Sequence, residues 1–289
     1  MNHSFVICTD SSCDLKSDVL RAWEVQSVSL TFRFQDSDTE YKNDDMTTEE
    51  FYGKMKAGAV AKTAAVNMQV FSDMFEAILK EGKDILYIGF SSGLSTTCNS
   101  ARLAALELQK THPDRNVRVV DSLCASAGLG LLVRLAYEQQ QAGRSLDSVA
   151  DYVEGIKLNV CHWFTVDDLV YLKRGGRISP TVAFVGNMLG IKPILHVDNE
   201  GHLVNVTKVR GRRASIAALA DKYTELAINQ QVGKVYISHA GCEEDAKQLA
   251  SMIEQKHSVP TQIITDVGPV IGAHSGPGTL ALFFIGKER

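Results

Sequence analysis

Apolar runs of strand length alternate with stretches of helical periodicity through the first half of this chain, and that alternation admits few architectures. Residues 3–9 read as a buried strand. Residues 84–90 form a continuous apolar run of the kind a sheet covered on both faces requires, and 117–121 repeat it. Between them, Val70, Phe71, Met74, Phe75, Ile78 and Leu79 recur at helical spacing, and 101–108 and 125–141 read as further helices. Strand and helix in turn imply right-handed crossovers and a mostly parallel sheet, with functional loops at the carboxyl ends of the strands.

Local signals fill in the rest. Asp10-Ser-Ser-Cys-Asp14 is a turn with good caps for a following helix, and 27–32 reads as a second strand. Thr47-Thr-Glu-Glu50 resembles a capping box opening a helix to about residue 57, where Gly58 stops it; 62–67 reads as a short polar loop. After Gly143 the rhythm changes, beginning with a helix at 146–158. Runs 191–197 and 203–209, joined by Asp198-Asn-Glu-Gly201, predict an antiparallel hairpin. A helix at 214–228, strands at 234–238, 262–267 and 280–285, and a helix after Cys242 follow. The expected fold is α/β in two units. Residues 1–160 carry a mostly parallel sheet flanked by helices; 161–289 form a smaller unit with a mixed or antiparallel sheet; the ligand site lies at their interface.

A chain with 45% hydrophobic and 22% charged residues folds compactly in water. Its six cysteines (Cys8, Cys13, Cys98, Cys124, Cys161, Cys242) include no CxxC pair, which argues against a zinc knot or disulfide framework and for reduced thiols in a cytoplasm. No apolar run has the length of a membrane span, and the N-terminus lacks a secretion signal pattern. The eight histidines form no H-E-x-x-H and no cluster with cysteine or carboxylate, so no metal site is expected. No phosphate-cradling G-x-x-x-x-G-K-[ST] occurs, and no cofactor is expected.

A formal charge of -4 speaks against general nucleic-acid affinity but conceals an uneven distribution. From Lys173 to Arg213, eight basic residues face only Asp198 and Glu200, so that segment is +6 and the remainder -10. Such an excess is either a solvated face or a docking patch for an anionic partner.

Three distant stretches look built to meet: 63–67, Gly89-Phe-Ser-Ser-Gly-Leu-Ser95, and 268–279 with its glycines around His274. Each sets hydroxyls, glycines or a histidine beside an apolar element, as a site for a small acid or a reacting carbonyl needs. Gly89-Phe-Ser91-Ser-Gly93 is a literal G-x-S-x-G after a strand, and with Asp121, Asp168 or Asp266 and His274 it offers the chain order of a serine hydrolase. No oxyanion-loop pattern accompanies it.

Seven blocks together resemble the DegV family. They are Thr9-Asp-Ser-Ser-Cys-Asp14, Phe90-Ser-Ser-Gly-Leu-Ser95, Val120-Asp-Ser122 with Ala125-Ser-Ala-Gly128, Leu172-Lys-Arg-Gly-Gly-Arg-Ile178, Ile191-Lys-Pro-Ile-Leu195, Lys208-Val-Arg-Gly-Arg212 and Gly268-Pro-Val-Ile-Gly-Ala-His-Ser-Gly-Pro-Gly278. The resemblance implies a DegV-like fold and a bacterial fatty-acid-binding protein of phospholipid synthesis. Such a carrier is not itself catalytic; it holds a long-chain fatty acid in a buried tunnel and presents the carboxylate to a partner fatty acid kinase. Carried onto this sequence, Thr63, Ser91, Ser92 and His274 bind the carboxylate, Ser95, Ser275 and Phe90 extend the pocket, and Arg177, Arg210 and Arg212 are candidates for partner docking. Phe90, Val185, Met188, Leu189, Ile194 and Val270 are candidate tunnel residues by adjacency. The family's Thr-Ser-x-Pro is here Thr63-Ala-Ala-Val66, its Gly-Leu-Ser-Gly-Thr is Gly93-Leu-Ser-Thr-Thr97, and Ser275 stands where threonine is common.

Overall fold

The computed structural model describes residues 4–178, 190–229 and 233–289. Four strands, β1 (Phe5–Asp10), β2 (Gln26–Val28), β6 (Asp84–Gly89) and β7 (Val117–Asp121), form a parallel sheet in the order β2-β1-β6-β7. Every residue of β6 is buried, as its unbroken apolar run requires of a central strand. Fully burying a side chain such as Ile85, Leu86 or Ile88 contributes about 1.5–3 kcal/mol, so this strand anchors the sheet.

The run at 27–32 is not one strand. Val28 ends β2 opposite Asp10, and Thr31 begins β3 (Thr31–Phe34), which belongs to a separate antiparallel sheet with β4 (Tyr41–Lys42) and β5 (Ala61–Ala64). Side chains make the change of sheet cheap: Leu30 N–H donates to Ser11 Oγ, and Ser29 Oγ accepts from Asn43 N–H. The stretch expected as a polar loop at 62–67 is therefore partly β5, with Thr63 in register with Phe32. Of the expected capping box the N-cap half is present: Thr47 Oγ1 accepts from Glu50 N–H and opens the helix Thr48–Lys56, while the Glu50 carboxylate lies toward Lys54.

From Val160 onward the strands make a six-stranded sheet. Its members are β8 (Val160–Thr165), β9 (Ile191–Val197), β10 (Leu203–Arg210), β11 (Val235–His239), β12 (Thr261–Asp266) and β13 (Leu280–Ile285), in the order β10-β9-β8-β13-β11-β12. It is mixed: β11 and β12 are parallel and the other pairs antiparallel. The predicted hairpin is present as β9 and β10, its turn held by Asp198 Oδ1 accepting from Glu200 and His202 N–H. The glycine-rich run at 268–279 holds a helix, Pro269–Ser275, that local pattern did not reveal; Pro269 occupies its first turn, where a missing N–H costs nothing. One continuous cluster of buried side chains joins Ile7, Leu86 and Val120 to Val160, Phe164 and Phe283, so the parallel and mixed sheets share a core.

Candidate functional site

A cavity of about 540 Å³ lies among these elements. The face of the mixed sheet supplies His162, Phe164, Ser238, Ala281 and Phe283. The loop after β6 supplies Phe90 and 92–96, and the helix Pro269–Ser275 supplies Val270, Ile271, His274 and Ser275. Its walls are mainly apolar, with hydroxyls grouped at a few places, and its volume falls in the range of small-molecule sites.

The three stretches singled out from sequence do converge here. Thr63 Oγ1 lies 2.7 Å from His274 Nε2, joining residues 211 apart in the chain. Burial, with a smaller contribution from the Arg177 guanidinium, pushes the His274 imidazole down to about 4, so the ring is neutral at pH 7. Nδ1 of His274 is buried without a hydrogen-bond partner. A proton there would have no acceptor, which favours the tautomer with Nε2–H donating to Thr63 and leaves the threonine hydroxyl proton to donate into the cavity. Ser92 is exposed at the cavity wall, its backbone N–H held by Asp121, and Ser95 Oγ pairs with Thr97 Oγ1 at 2.9 Å. Ser275 is among the cavity-lining residues, but its Oγ is itself fully buried and without a hydrogen-bond partner.

Ser91 is different. Its hydroxyl is fully buried outside the cavity lining, donating to Gly201 O and accepting from Gly93 N–H. It fixes the shape of the loop and meets the hairpin turn rather than His274. Asp168 caps Val170 N–H, Asp266 lies 3.7 Å from His239, and Asp121 holds Ser92 and Leu123 N–H, so the residues of the hydrolase reading are not brought together.

The three arginines also part company. Arg177 is half-buried on the cavity wall, its guanidinium donating to Leu94 O and Gly175 O. Arg212 is tied to Asp245 at 2.8 Å and lies 3.7 Å from Asp167. Arg210 is exposed on β10. Of the candidate tunnel residues, Phe90 and Val270 line the cavity, Ile194 packs in a different cluster, and Val185, Met188 and Leu189 lie outside the described residues.

A second hollow, of about 310 Å³, backs onto the first and shares Thr63, Arg177 and His274 with it. Exposed Lys62 and Arg174 line it as well. The Thr63–His274 pair thus stands between a mainly apolar cavity and a hollow lined by basic side chains. Among the described residues, no group of three or more His, Cys, Asp or Glu is placed to hold a metal ion, and no helix is long and apolar enough to cross a membrane.

Sequence reading missed Asp14, expected as a cap on the following helix. That helix, Ser17–Ala22, has no side-chain cap; Asp14 instead turns inward to accept from Gly268 N–H and from Ser126, bracing the start of the helix that carries His274. Asn43 Oδ1 does the same for Val270 N–H. Their signal was faint: a polar residue beside an apolar strand.

The family model described as "Uncharacterised protein, DegV family" matches residues 4–287. This chain belongs to the DegV family. A DegV domain-containing protein of Clostridium perfringens is 40% identical over 288 residues, covering 99% of this chain and 98% of its own. The DegV fold is likewise shared with two solved structures, each 30% identical. A DegV lipid-binding protein from Thermotoga maritima has a TM-score of 0.86 with 99% of both chains covered. A DegV family protein from Thermus thermophilus described by its fatty acid binding has a TM-score of 0.87, covering 98% of this chain and 99% of that one.

Proposed function

We propose that this protein is a lipid-binding carrier that holds a long-chain fatty acid in the 540 Å³ cavity and presents its carboxylate to a partner kinase. The observation that carries this reading is the Thr63–His274 pair at the wall between the apolar cavity and the basic hollow. Fatty-acid binding by the Thermus relative and lipid binding by the Thermotoga relative support it.

The energetics suit such a ligand. Burying about fifteen methylene or methyl groups contributes roughly 12 kcal/mol, well above the several kcal/mol that association costs. Tail burial therefore sets affinity. A buried carboxylate without partners is costly, and charge-assisted hydrogen bonds from Thr63, with Ser92 and Ser275 nearby, offset that cost and fix its orientation. The site lies where the units 1–160 and 161–289 meet.

In the reaction we infer, a carboxylate oxygen attacks the terminal phosphorus of a nucleoside triphosphate held by the kinase. The bond to the departing nucleoside diphosphate breaks and an acyl phosphate forms. Neutral donors hold the carboxylate without neutralising it, while Lys62, Arg174 and Arg177 around the basic hollow offset the charge of the arriving phosphates. Exposed Arg210 is free to face an acidic kinase surface in the cytoplasm, whereas Arg212 is engaged by its aspartates. Organic extraction and native mass spectrometry of protein purified from bacteria should find a long-chain acid at near one per chain. An empty protein that also rejects added fatty acid would overturn the reading.

A further inference from the structure

The 310 Å³ hollow is set apart by its charges. Lys62, Arg174 and Arg177 line it, and no acidic residue does. Among the described residues neither Lys62 nor Arg174 forms an ion pair, and the Arg174 guanidinium lies over the Tyr171 ring, 5.6 Å from its centroid. Arg177 donates to the carbonyls of Leu94 and Gly175, neutral acceptors that leave its charge unmatched. Elsewhere in the same basic segment the cations are neutralised: Lys192 lies 2.5 Å from Asp167 and Arg212 2.8 Å from Asp245. Asp38, three residues past Gln35 of the lining, lies 3.9 Å from Arg33 rather than toward these cations. Unmatched guanidinium and ammonium groups around one concave space are the composition that takes a phosphate group.

This hollow and the cavity share a wall, since Thr63, Arg177 and His274 line both. The Thr63–His274 pair is 2.7 Å across, so anions hydrogen-bonded to it from the two sides would sit within about 8 Å of each other. His274 is neutral at pH 7, so the pair brings no positive charge to share between them. Thr63 has a single hydroxyl proton, which serves one side at a time. Arg177 is likewise one cation between two claimants. Repulsion and competition for donors act in the same direction.

We propose that the smaller hollow is a binding site for a phosphate group, and that its occupancy and the loading of the cavity with a fatty-acid carboxylate oppose each other through Thr63, His274 and Arg177. This rests on the fatty-acid reading of the cavity and adds a regulation to it. A free phosphate ion is expelled when the cavity fills, which clears the side of the carboxylate from which a phosphoryl donor approaches. A donor held by the kinase overcomes the same repulsion with binding energy of its own. In the other direction, phosphate in the hollow eases the departure of the fatty acid.

The test is calorimetric titration of inorganic phosphate into delipidated protein and into protein loaded with octadecanoic acid, at pH 7 and constant ionic strength. Phosphate should bind the delipidated protein, and bind the loaded protein about fivefold or more weakly. By reciprocity, saturating phosphate should weaken the affinity for a fluorescent fatty acid by the same factor. Adenosine triphosphate in place of inorganic phosphate identifies the source: tighter binding assigns the hollow to the end of a nucleotide, equal or weaker binding to the free ion, and either keeps the site. Lys62→Gln and, separately, Arg174→Gln remove exposed cations with no ion pair to lose, and should each lower phosphate affinity about fivefold. No binding of phosphate, equal binding to the two forms, or affinity untouched by both substitutions would overturn the proposal while leaving fatty-acid binding intact. Failure of octadecanoic acid itself to bind would instead overturn the broader reading.

Discussion

His274 lies against the α-carbon of Gly175: a methyl group placed there would come within 2.1 Å of Nδ1, while Nε2 faces Thr63 on the other side of the ring. The imidazole is thus wedged between a missing side chain and a hydroxyl. Gly175 has an ordinary helical backbone, φ near -74°, so its role here is space rather than conformation. Gly175→Ala should displace the ring and weaken fatty-acid affinity about tenfold while leaving the melting temperature within a few degrees. Displacement titration and calorimetry check both halves; unchanged affinity would show that the wedge does not matter.

Thr63→Val keeps the shape of the side chain and removes the hydroxyl, leaving a buried N–H of His274 unpaired. Affinity should fall about tenfold or more, and Thr63→Ser should recover most of it. Loss in Thr63→Ser with affinity kept in Thr63→Val would point to the methyl group instead.

The neutral His274 makes stability pH-dependent in a definite direction. Its folded value is about 4 against an ordinary 6.5, so between those limits the unfolded chain takes up a proton that the folded chain refuses. Stability present above pH 6.5 is lost as pH falls toward 4, by about 3 kcal/mol for this group. His274→Gln does not titrate, so the stability advantage of the wild type over this variant should shrink by about that amount across the window. Urea unfolding at several pH values measures the difference, in which the other buried histidines cancel.

Asp14 runs the opposite way. Burial raises it from 3.8 to about 7, so the folded chain keeps a proton there that the unfolded chain has released, and stability is lost as pH rises through that interval. Asp14→Asn keeps an acceptor for Gly268 N–H and suits the left-handed backbone at this position, φ 50°. The variant should gain on the wild type by about 4 kcal/mol between pH 4 and 8. Parallel pH profiles for the two proteins would contradict this.

Arg289 fastens three segments at once. Its guanidinium donates to the carbonyls of Leu123, Lys157, Val160 and Asp198, tying the loop after β7 and the β9–β10 turn to the start of β8. Arg289→Ala leaves buried carbonyls without donors and should cost about 3 kcal/mol, read as a lower midpoint in urea.

Much of this was written locally. The apolar run at 84–90, the periodicity of 70–79 and the Asp198–Gly201 turn are short-range patterns, and each became the element they predict, because burial of one face and turn chemistry are decided within a few residues. Two adjacent serines in one motif were not separable on those grounds. Ser91 turns to Gly201 and Ser92 to the cavity, since neighbouring positions in a loop point apart and the hairpin that takes Ser91 lies 110 residues away. Arg177, Arg210 and Arg212 likewise share a basic segment in sequence, yet one is folded onto backbone carbonyls, one is exposed and one is neutralised by aspartates.

The sequence alone determined the alternating elements, the hairpin and the family of the chain, since these follow from periodicity and motif order. Tertiary structure decided the site itself: that Thr63 on β5 meets His274 on a helix hidden in a glycine-rich run, and that Asp14 braces that helix from inside. Periodicity records which face of an element is apolar; only packing determines which distant segment comes to cover it.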